Sequence, residues 1–248
     1  MNLSIVGYGA IGKLIEAGAK EKGIHISSII DPFAPGATHK EFNAESMESV
    51  DVCICFTQPD VALQNIESAC HWKKPLVMGT TGWTEALPQV RKQVTESGIG
   101  MVYSSNFSLG VNLFFHILEQ ACKVINRFDE YDILGYELHH NRKLDSPSGT
   151  AKTIEKIVLD SVDRKKAVVE DKLDRKIEPN EFHFASVRGG DIPGTHVISL
   201  DSKVDSIELK HTARNRNGFA MGSLVAAEWI RDKQGLYTEK DMMQQLLS

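Results

Sequence analysis

The chain has no apolar run approaching the ~18–20 residues that a membrane span needs. It has no Cys-x-x-Cys pair and no excess of positive charge. The first absence removes the transmembrane reading. The second leaves Cys53, Cys55, Cys70 and Cys122 without the paired spacing of a zinc ribbon or redox motif. Cys53 and Cys55 alternate within an apolar run, which reads as strand packing in a reduced, cytoplasmic protein. The third absence is quantitative: 28 Lys+Arg stand against 33 Asp+Glu, a net charge of −5. That argues against nucleic acid or an anionic membrane as partner. A small anion met by a local cluster of cations stays open. The N-terminus, MNLSIVGYGAIG, has no basic stretch before its apolar residues, so no secretory signal is expected. At 42% hydrophobic and 25% charged the composition is that of an ordinary globular protein, and 248 residues make one large domain or two modest ones.

The first hundred residues alternate between strand and helix patterns. Apolar, β-branched runs occur at Leu3–Val6, Ile24–Ile30, Val52–Phe56, Pro75–Met78 and Gly100–Tyr103. Helical spacing of apolar residues lies between several of them, at Ile11–Gly18, Val61–Ala69 and Glu85–Val94. This grammar predicts βαβ units and a parallel sheet covered on both faces. After Asn106 it changes. A long helical pattern at Val111–Ile125 and a strand at Tyr131–Leu138 are followed by a helix after Pro147-Ser148-Gly149-Thr150. Then come three extended runs, FHFASVR, THVISLDS and DSIELKHTA, separated by turn residues. The expected fold is therefore α/β. A Rossmann-type domain spans 1–109 and the returning 217–248. A smaller α/β domain with a mainly antiparallel sheet spans 110–216. The charged stretch from Asp163 to Asn180 reads as a flexible loop.

Gly7-Tyr8-Gly9-Ala10-Ile11-Gly12 has the form G-x-G-x-x-G, placed after the first strand and opening the first helix, with Asp31 ending the second strand. Glycines permit the tight turn and the close approach of backbone to a pyrophosphate. The helix start offers unpaired N–H groups and a positive dipole end. An acidic residue after the second strand accepts hydrogen bonds from the adenosine ribose. Asp31 argues for NADH, whereas His39 and Lys40 nearby keep NADPH open. Two further turns, Gly79-Thr80-Thr81-Gly82 and Ser104-Ser105-Asn106-Phe107-Ser108, follow later strands. In an open parallel sheet that is the edge where ligands bind.

The densest chemistry runs from Glu137 to Ala151, ELHHNRKLDSPSGTA. A strand delivers His139 and His140, which point opposite ways. Lys143 can hold or protonate an anion, and either histidine can titrate near neutrality. Ser148, Gly149 and Thr150 form a helix start suited to a carboxylate or phosphate. No set of His, Asp or Glu shows zinc-ligand spacing, so no metal is expected.

The segment YELHHNRKLDSPSGTA resembles the signature of the 4-hydroxy-tetrahydrodipicolinate reductase (dihydrodipicolinate reductase) family, E-x-H-H-x-x-K-x-D-x-P-S-G-T-A, at every defining position. The resemblance extends to the glycine turn, GTTG, SSNFS, SVRGG–PGTH and HTARNRNGFAMGSLVAAEW. It implies reduction of a cyclic dicarboxylated imine with NADH or NADPH in lysine and diaminopimelate biosynthesis. It implies His139 as proton donor and acceptor, Lys143 as proton donor, and His140 with Gly149 and Thr150 on the substrate carboxylates. Cofactor contacts are implied at Gly7–Gly12, Asp31, Gly79–Thr81, Ser104–Phe107, Arg216 and Phe219, and a homotetramer assembled through the second domain's sheet. One departure is the short GYGAIG turn, where most members carry G-x-x-G-x-x-G, which leaves the choice of nucleotide open. The competing classes are another dehydrogenase of this architecture, such as an amino-acid dehydrogenase, and a dinucleotide sensor without chemistry.

Overall fold

The computed structural model describes residues 1–247. It divides into two compact units, Met1–Asn112 with Arg216–Ser248, and Leu113–Asn215. The divisions lie three residues after, and one residue before, the sequence-based boundaries.

The first unit is built on β1 (Asn2–Val6), α1 (Ala10–Glu21), β2 (His25–Ile30), α2 (Ala44–Met47), β3 (Val52–Cys55), α3 (Ala62–His71), β4 (Leu76–Met78), α4 (Leu87–Ser97) and β5 (Gly100–Tyr103). The start of α5 (Leu109–Ile125) follows. The chain later returns with α7 (Asn217–Ile230), β11 (Gly235–Thr238) and α8 (Glu239–Leu246). Its sheet has the order β11-β5-β4-β3-β1-β2, parallel throughout. Every residue of β3 and β4 is buried, as expected of strands covered on both faces. Leu3, Ile5, Ile54 and Val77 face a core shared with Ile15 of α1 and Leu224 and Ala227 of α7. Cys53, Cys55, Leu76 and Met78 face the opposite core with Ile66 of α3 and Val90 of α4. Burial pushes the thiols of Cys53 and Cys55 up to about 12 and about 11, so both pack as inert small hydrophobes. At Gly222 of α7 a Cβ would stand 1.6 Å from the Phe107 carbonyl oxygen; only glycine lets that helix lie against the turn.

The second unit carries the rest of α5, then β6 (Asp132–His139), α6 (Gly149–Ser161), β7 (Ala167–Val169), β8 (Glu181–Arg188), β9 (Thr195–Asp201) and β10 (Ser206–Thr212). Sheet order is β10-β9-β6-β8-β7. It is mixed: β10, β9 and β6 run antiparallel, while β6, β8 and β7 run parallel. Although β8 and β9 are consecutive, β6 lies between them. Phe182, Phe184, Ile198 and Leu200 bury one face of this sheet beneath Leu118 of α5 and Ile154 and Val158 of α6. Gly135 makes room for that layer, since a Cβ there would lie 2.6 Å from Ile198.

Two features depart from the sequence-based expectation. The stretch 163–180 is not simply a loop, because Ala167-Val168-Val169 adds to the sheet as β7. Lys165 within it is buried, its ammonium donating to the carbonyls of Pro179 and Glu181 and pairing with Asp132 at 2.6 Å. A charged run reads as solvent-facing, but this buried cation finds two carbonyls and the carboxylate of the exposed Asp132. The second feature is β11, which pairs with β5 at the sheet edge. Its sequence, GLYT, is too short to carry a periodic signal.

Candidate functional site

In the first unit, β1 neighbours β2 on one side and β3 on the other. This is the reversal of strand order at which open parallel sheets place their ligands. A cavity of ≈ 710 Å³ opens there, lined among others by Gly7, Gly9, Ala10, Ile11, Asp31, Phe56, Gln58, Gly79, Thr80 and Thr81. Gly7 has φ +91°, and a Cβ on it would meet the Phe56 carbonyl at 2.1 Å. Gly9 caps α1 with no side-chain bond, and a Cβ added to it would have nothing within 4 Å. The helix start is therefore open to an anion. Gly12 serves the turn itself, because a Cβ there would lie 2.2 Å from the Gly7 carbonyl.

The Asp31 carboxylate accepts the N–H groups of Tyr8 (2.8 Å), Phe33 and Ala34 (both 2.9 Å). Partial burial would raise its pKa, but these three donors hold it below the ordinary carboxylate value, so it faces the cavity as an anion. Lys40 lines the same cavity. Tyr8 contributes its backbone to Asp31 and its hydroxyl to Glu16.

The later turns are hydrogen-bonded in place. The Thr80 hydroxyl accepts from Thr57 N–H at 2.8 Å. Ser104 and Asn106 bond each other, and the Asn106 side chain accepts from Ser108 N–H. Thr80, Thr81, Ser104 and Ser105 line a second cavity of ≈ 390 Å³ beside Glu239, whose carboxyl pKa burial pushes upward. The Phe107 ring is fully buried, edge-on to Phe56. Arg216 is exposed at the start of α7, and Phe219 is half-buried one turn later. Phe56, Gln58 and Asn65 also line the first cavity, although no sequence motif marks them. They follow the carboxyl end of β3, the edge that located the other turns.

In the second unit the site is built around Glu137. This fully buried carboxylate accepts from Ser148 N–H (3.0 Å), Ser186 Oγ (2.9 Å) and Arg188 Nη2 (2.8 Å) at Oε1. At Oε2 it accepts the Ser148 hydroxyl, with His196 Nε2 at 3.2 Å. Burial alone would raise its pKa; the bonds from His196, Ser148, Arg188 and Ser186 hold it well below the carboxylate range. Ser148 Oγ in turn accepts from Ala151 N–H at 3.1 Å as the N-cap of α6. The N–H groups of Gly149 and Thr150 at the first helical positions then face outward without intrahelical acceptors. Lys143 Nζ pairs with the Asp145 carboxylate at 2.8 Å, which holds the pKa of Asp145 down.

His139 is buried on the face of β6 that carries Glu137, its ring 5.2 Å from that of His196. Half-buried His140 lies just beyond the strand, its N–H on the Ile192 carbonyl at 2.8 Å. Burial lowers the pKa of His139 to about 4, despite Glu137 opposing that shift. This corrects the expectation that it titrates near neutrality: at pH 7 the ring is neutral, and its Nδ1, 3.5 Å from Glu137, has no hydrogen-bond partner. Glu137, His139 and His196 gather three ligand-type atoms within 4.8 Å, a grouping invisible to local spacing because His196 arrives from β9. With the guanidinium of Arg188 and two serines already on the carboxylate, the set reads as a hydrogen-bonded hub.

Comparison with known proteins accords with this arrangement. Family models described as dihydrodipicolinate reductase, N-terminus and C-terminus, match residues 1–107 and 110–243. The 4-hydroxy-tetrahydrodipicolinate reductase of Christiangramia forsetii is 35% identical over 246 residues, 99% of each chain. That of Zymomonas mobilis is 37% identical over 243 residues, 95% of this chain and 93% of the relative. Among solved structures, a dipicolinate-bound dihydrodipicolinate reductase from Paenisporosarcina shares the fold, with TM-score 0.77 and 20% identity over 96% of this chain and 97% of the other. With both halves matched and relatives aligned from end to end, the chain belongs to the dihydrodipicolinate reductase family.

Proposed function

We propose that this protein reduces 4-hydroxy-tetrahydrodipicolinate, which loses its hydroxyl as water to give dihydrodipicolinate, to tetrahydrodipicolinate, a step of diaminopimelate and lysine biosynthesis. The observation that carries the reading is the Glu137–Ala151 segment. There one buried carboxylate fixes a capped helix start beside an ion-paired lysine, in a chain matched across both halves by this family.

The substrate is a ring with two carboxylates. The N–H groups of Gly149 and Thr150, with the Thr150 hydroxyl, receive one of them, Ser148 serving as the cap that Glu137 holds in place, and Lys143 exchanges Asp145 for the other, with His140 alongside. Neutralising a dianion lowers the cost of adding negative charge to it, and fixing both ends orients the ring. The open cradle at Gly9 and the ionised Asp31 fit a nicotinamide dinucleotide, which when bound supplies the hydride to ring carbon C4. Lys143 Nζ supplies the proton on the adjoining carbon. His139, neutral at pH 7, contributes as a hydrogen-bonding imidazole and takes or passes a proton through that state. No metal takes part in this scheme.

Asp31 disfavours a 2′-phosphate while Lys40 on the same wall favours one, so the cofactor of this reading is NADH, NADPH or both. The residues Gly7, Tyr8, Gly9, Ala10 and Ile11, Asp31, Gly79–Thr81, Ser104–Asn106, Arg216 and Phe219 stand as the proposed contacts, with Gly12 and the buried Phe107 shaping the turns that carry them. The face of the second unit's sheet opposite its helices exposes Leu134 and Val187. That face supports assembly of a homotetramer. With four free cysteines and no described helix long and apolar enough to cross a membrane, the cytoplasm is the proposed setting. A net charge of −5 speaks against nucleic acid as partner.

The test follows absorbance at the nicotinamide band, with substrate generated in situ by dihydrodipicolinate synthase, using NADH and NADPH side by side. Consumption of either supports the proposal. Consumption of neither, or turnover only with aspartate plus NAD, overturns it in favour of the sensor or amino-acid dehydrogenase reading, which the family match does not favour.

A further inference from the structure

We infer that Glu137 is the positioning residue of the dicarboxylate cradle, holding the Ser148 helix start with one set of bonds and the Lys143 loop, through Arg188, with another. This rests on the proposed function and names what organises its site.

Two arms leave the carboxylate. One goes to Ser148, whose N–H and hydroxyl both bond Glu137 while its oxygen caps Ala151. The direction in which α6 presents its first N–H groups is thereby set from β6. The other goes through Arg188: one nitrogen, Nη2, donates to Glu137 Oε1 at 2.8 Å and to the Asp145 carbonyl at 2.7 Å. The side chain of that same Asp145 holds Lys143. Oε1, which also takes the Ser148 N–H, thus reaches the Lys143 loop through Arg188 and the Asp145 backbone, while Oε2 takes the Ser148 hydroxyl.

The chemistry of Glu137 suits this task and little else. It is 0% exposed, it is surrounded by donors that keep it ionised, and its oxygens are taken up by protein groups. It therefore acts on substrate only through others. A guanidinium suits the bridge because its rigid plane fixes the directions of the two Nη2 N–H bonds, one toward a carboxylate and one toward a carbonyl. Arg188 also retains a buried Nε without a protein partner, so its orientation comes from the Nη groups alone.

Glu137→Gln keeps the shape and allows the amide to occupy the Oε2 side, where the Ser148 hydroxyl and His196 can reverse their roles. What disappears is the charge opposite Arg188. Arg188→Lys keeps the charge but removes the rigid plane that aims Nη2 at Glu137 and the Asp145 carbonyl while Nη1 holds the Val187 carbonyl. The measurement is dipicolinate binding by calorimetry on protein saturated with NADH, together with NADH affinity and Tm for each protein. The expected result is a dipicolinate Kd raised about tenfold or more in both variants, the scale of a cradle displaced by a fraction of an ångström, with NADH Kd within about twofold of wild type. The double variant should be little worse than the poorer single one, because both weaken the same Glu137–Arg188 link. In turnover the loss should fall on both KM for the dicarboxylate and kcat, with KM for NADH unmoved.

If both variants bind dipicolinate within about twofold of wild type, or if the two effects simply add, the inference is overturned. If Glu137→Gln does not fold, Arg188→Lys decides by the same criterion. Wild-type protein that turns over substrate beside unaffected variants overturns this inference alone. Wild-type protein that neither binds dipicolinate nor turns over overturns the functional reading and, with it, the cradle.

Discussion

Gly9 and Gly12 belong to the same turn, yet the structure predicts opposite consequences for the two alanine substitutions. In Gly12→Ala the new Cβ stands 2.2 Å from the Gly7 carbonyl oxygen, where real Cβ atoms do not come within 3.0 Å, so turn and helix must part by at least 0.8 Å. The obstacle is backbone and cannot swing aside. Overpacking of this kind costs about 1–3 kcal/mol, and in a protein of this size each kcal/mol lowers Tm by roughly 2–4 °C. Gly9→Ala meets nothing within 4 Å, and φ −79° with ψ −155° is a conformation that any residue adopts. Stability should stay within about 0.5 kcal/mol of wild type. The methyl instead enters the cavity where backbone must approach a pyrophosphate, so NADH affinity should fall roughly tenfold, a difference of ~1.4 kcal/mol. Calorimetric melting and fluorescence titration with NADH separate the two. Equal losses of Tm in both variants, or wild-type NADH affinity in Gly9→Ala, would refute the assignment of Gly9 to ligand and Gly12 to packing.

Lys143→Ala should lower kcat by about 10²-fold, the scale of one positioned acid, with NADH affinity unchanged; near-normal NADH consumption by this variant removes Lys143 from the chemistry. The depressed pKa of His139 has a signed consequence for folding. With a folded value of about 4 against 6.5 ordinarily, the unfolded chain takes up this proton first. Stability is therefore lost as pH falls from 6.5 towards 4, and His139→Gln should flatten that part of a Tm–pH curve relative to wild type. If the proposed homotetramer assembles through the open sheet face, Leu134→Lys should shift the sedimentation coefficient to smaller species; a wild-type coefficient of a monomer removes the tetramer, and one unchanged by the substitution places the assembly surface elsewhere.

Much of the first unit was legible in the residues. Strands buried on both faces must be apolar throughout, and a turn that approaches a phosphate must be glycine; both are local demands, so VCIC, LVM and GYGAIG announce them. The segment from Glu137 to Thr150 was legible for the same reason, since strand, loop and helix start follow within one stretch of chain. Lys165 and β7 escaped because a charged run states nothing about which oxygens wait inside. Arg188 and His196 escaped as partners of Glu137 because β6 inserts between β8 and β9, a pairing set by long-range register. By itself the sequence determined the fold class, the dinucleotide turn and the histidine–lysine segment, all written in neighbouring residues. Only tertiary structure decided that His139 is buried and neutral, and that one carboxylate anchors both the Ser148 helix start and the Lys143 loop. Burial and convergence of donors depend on strands that meet in space from distant parts of the chain.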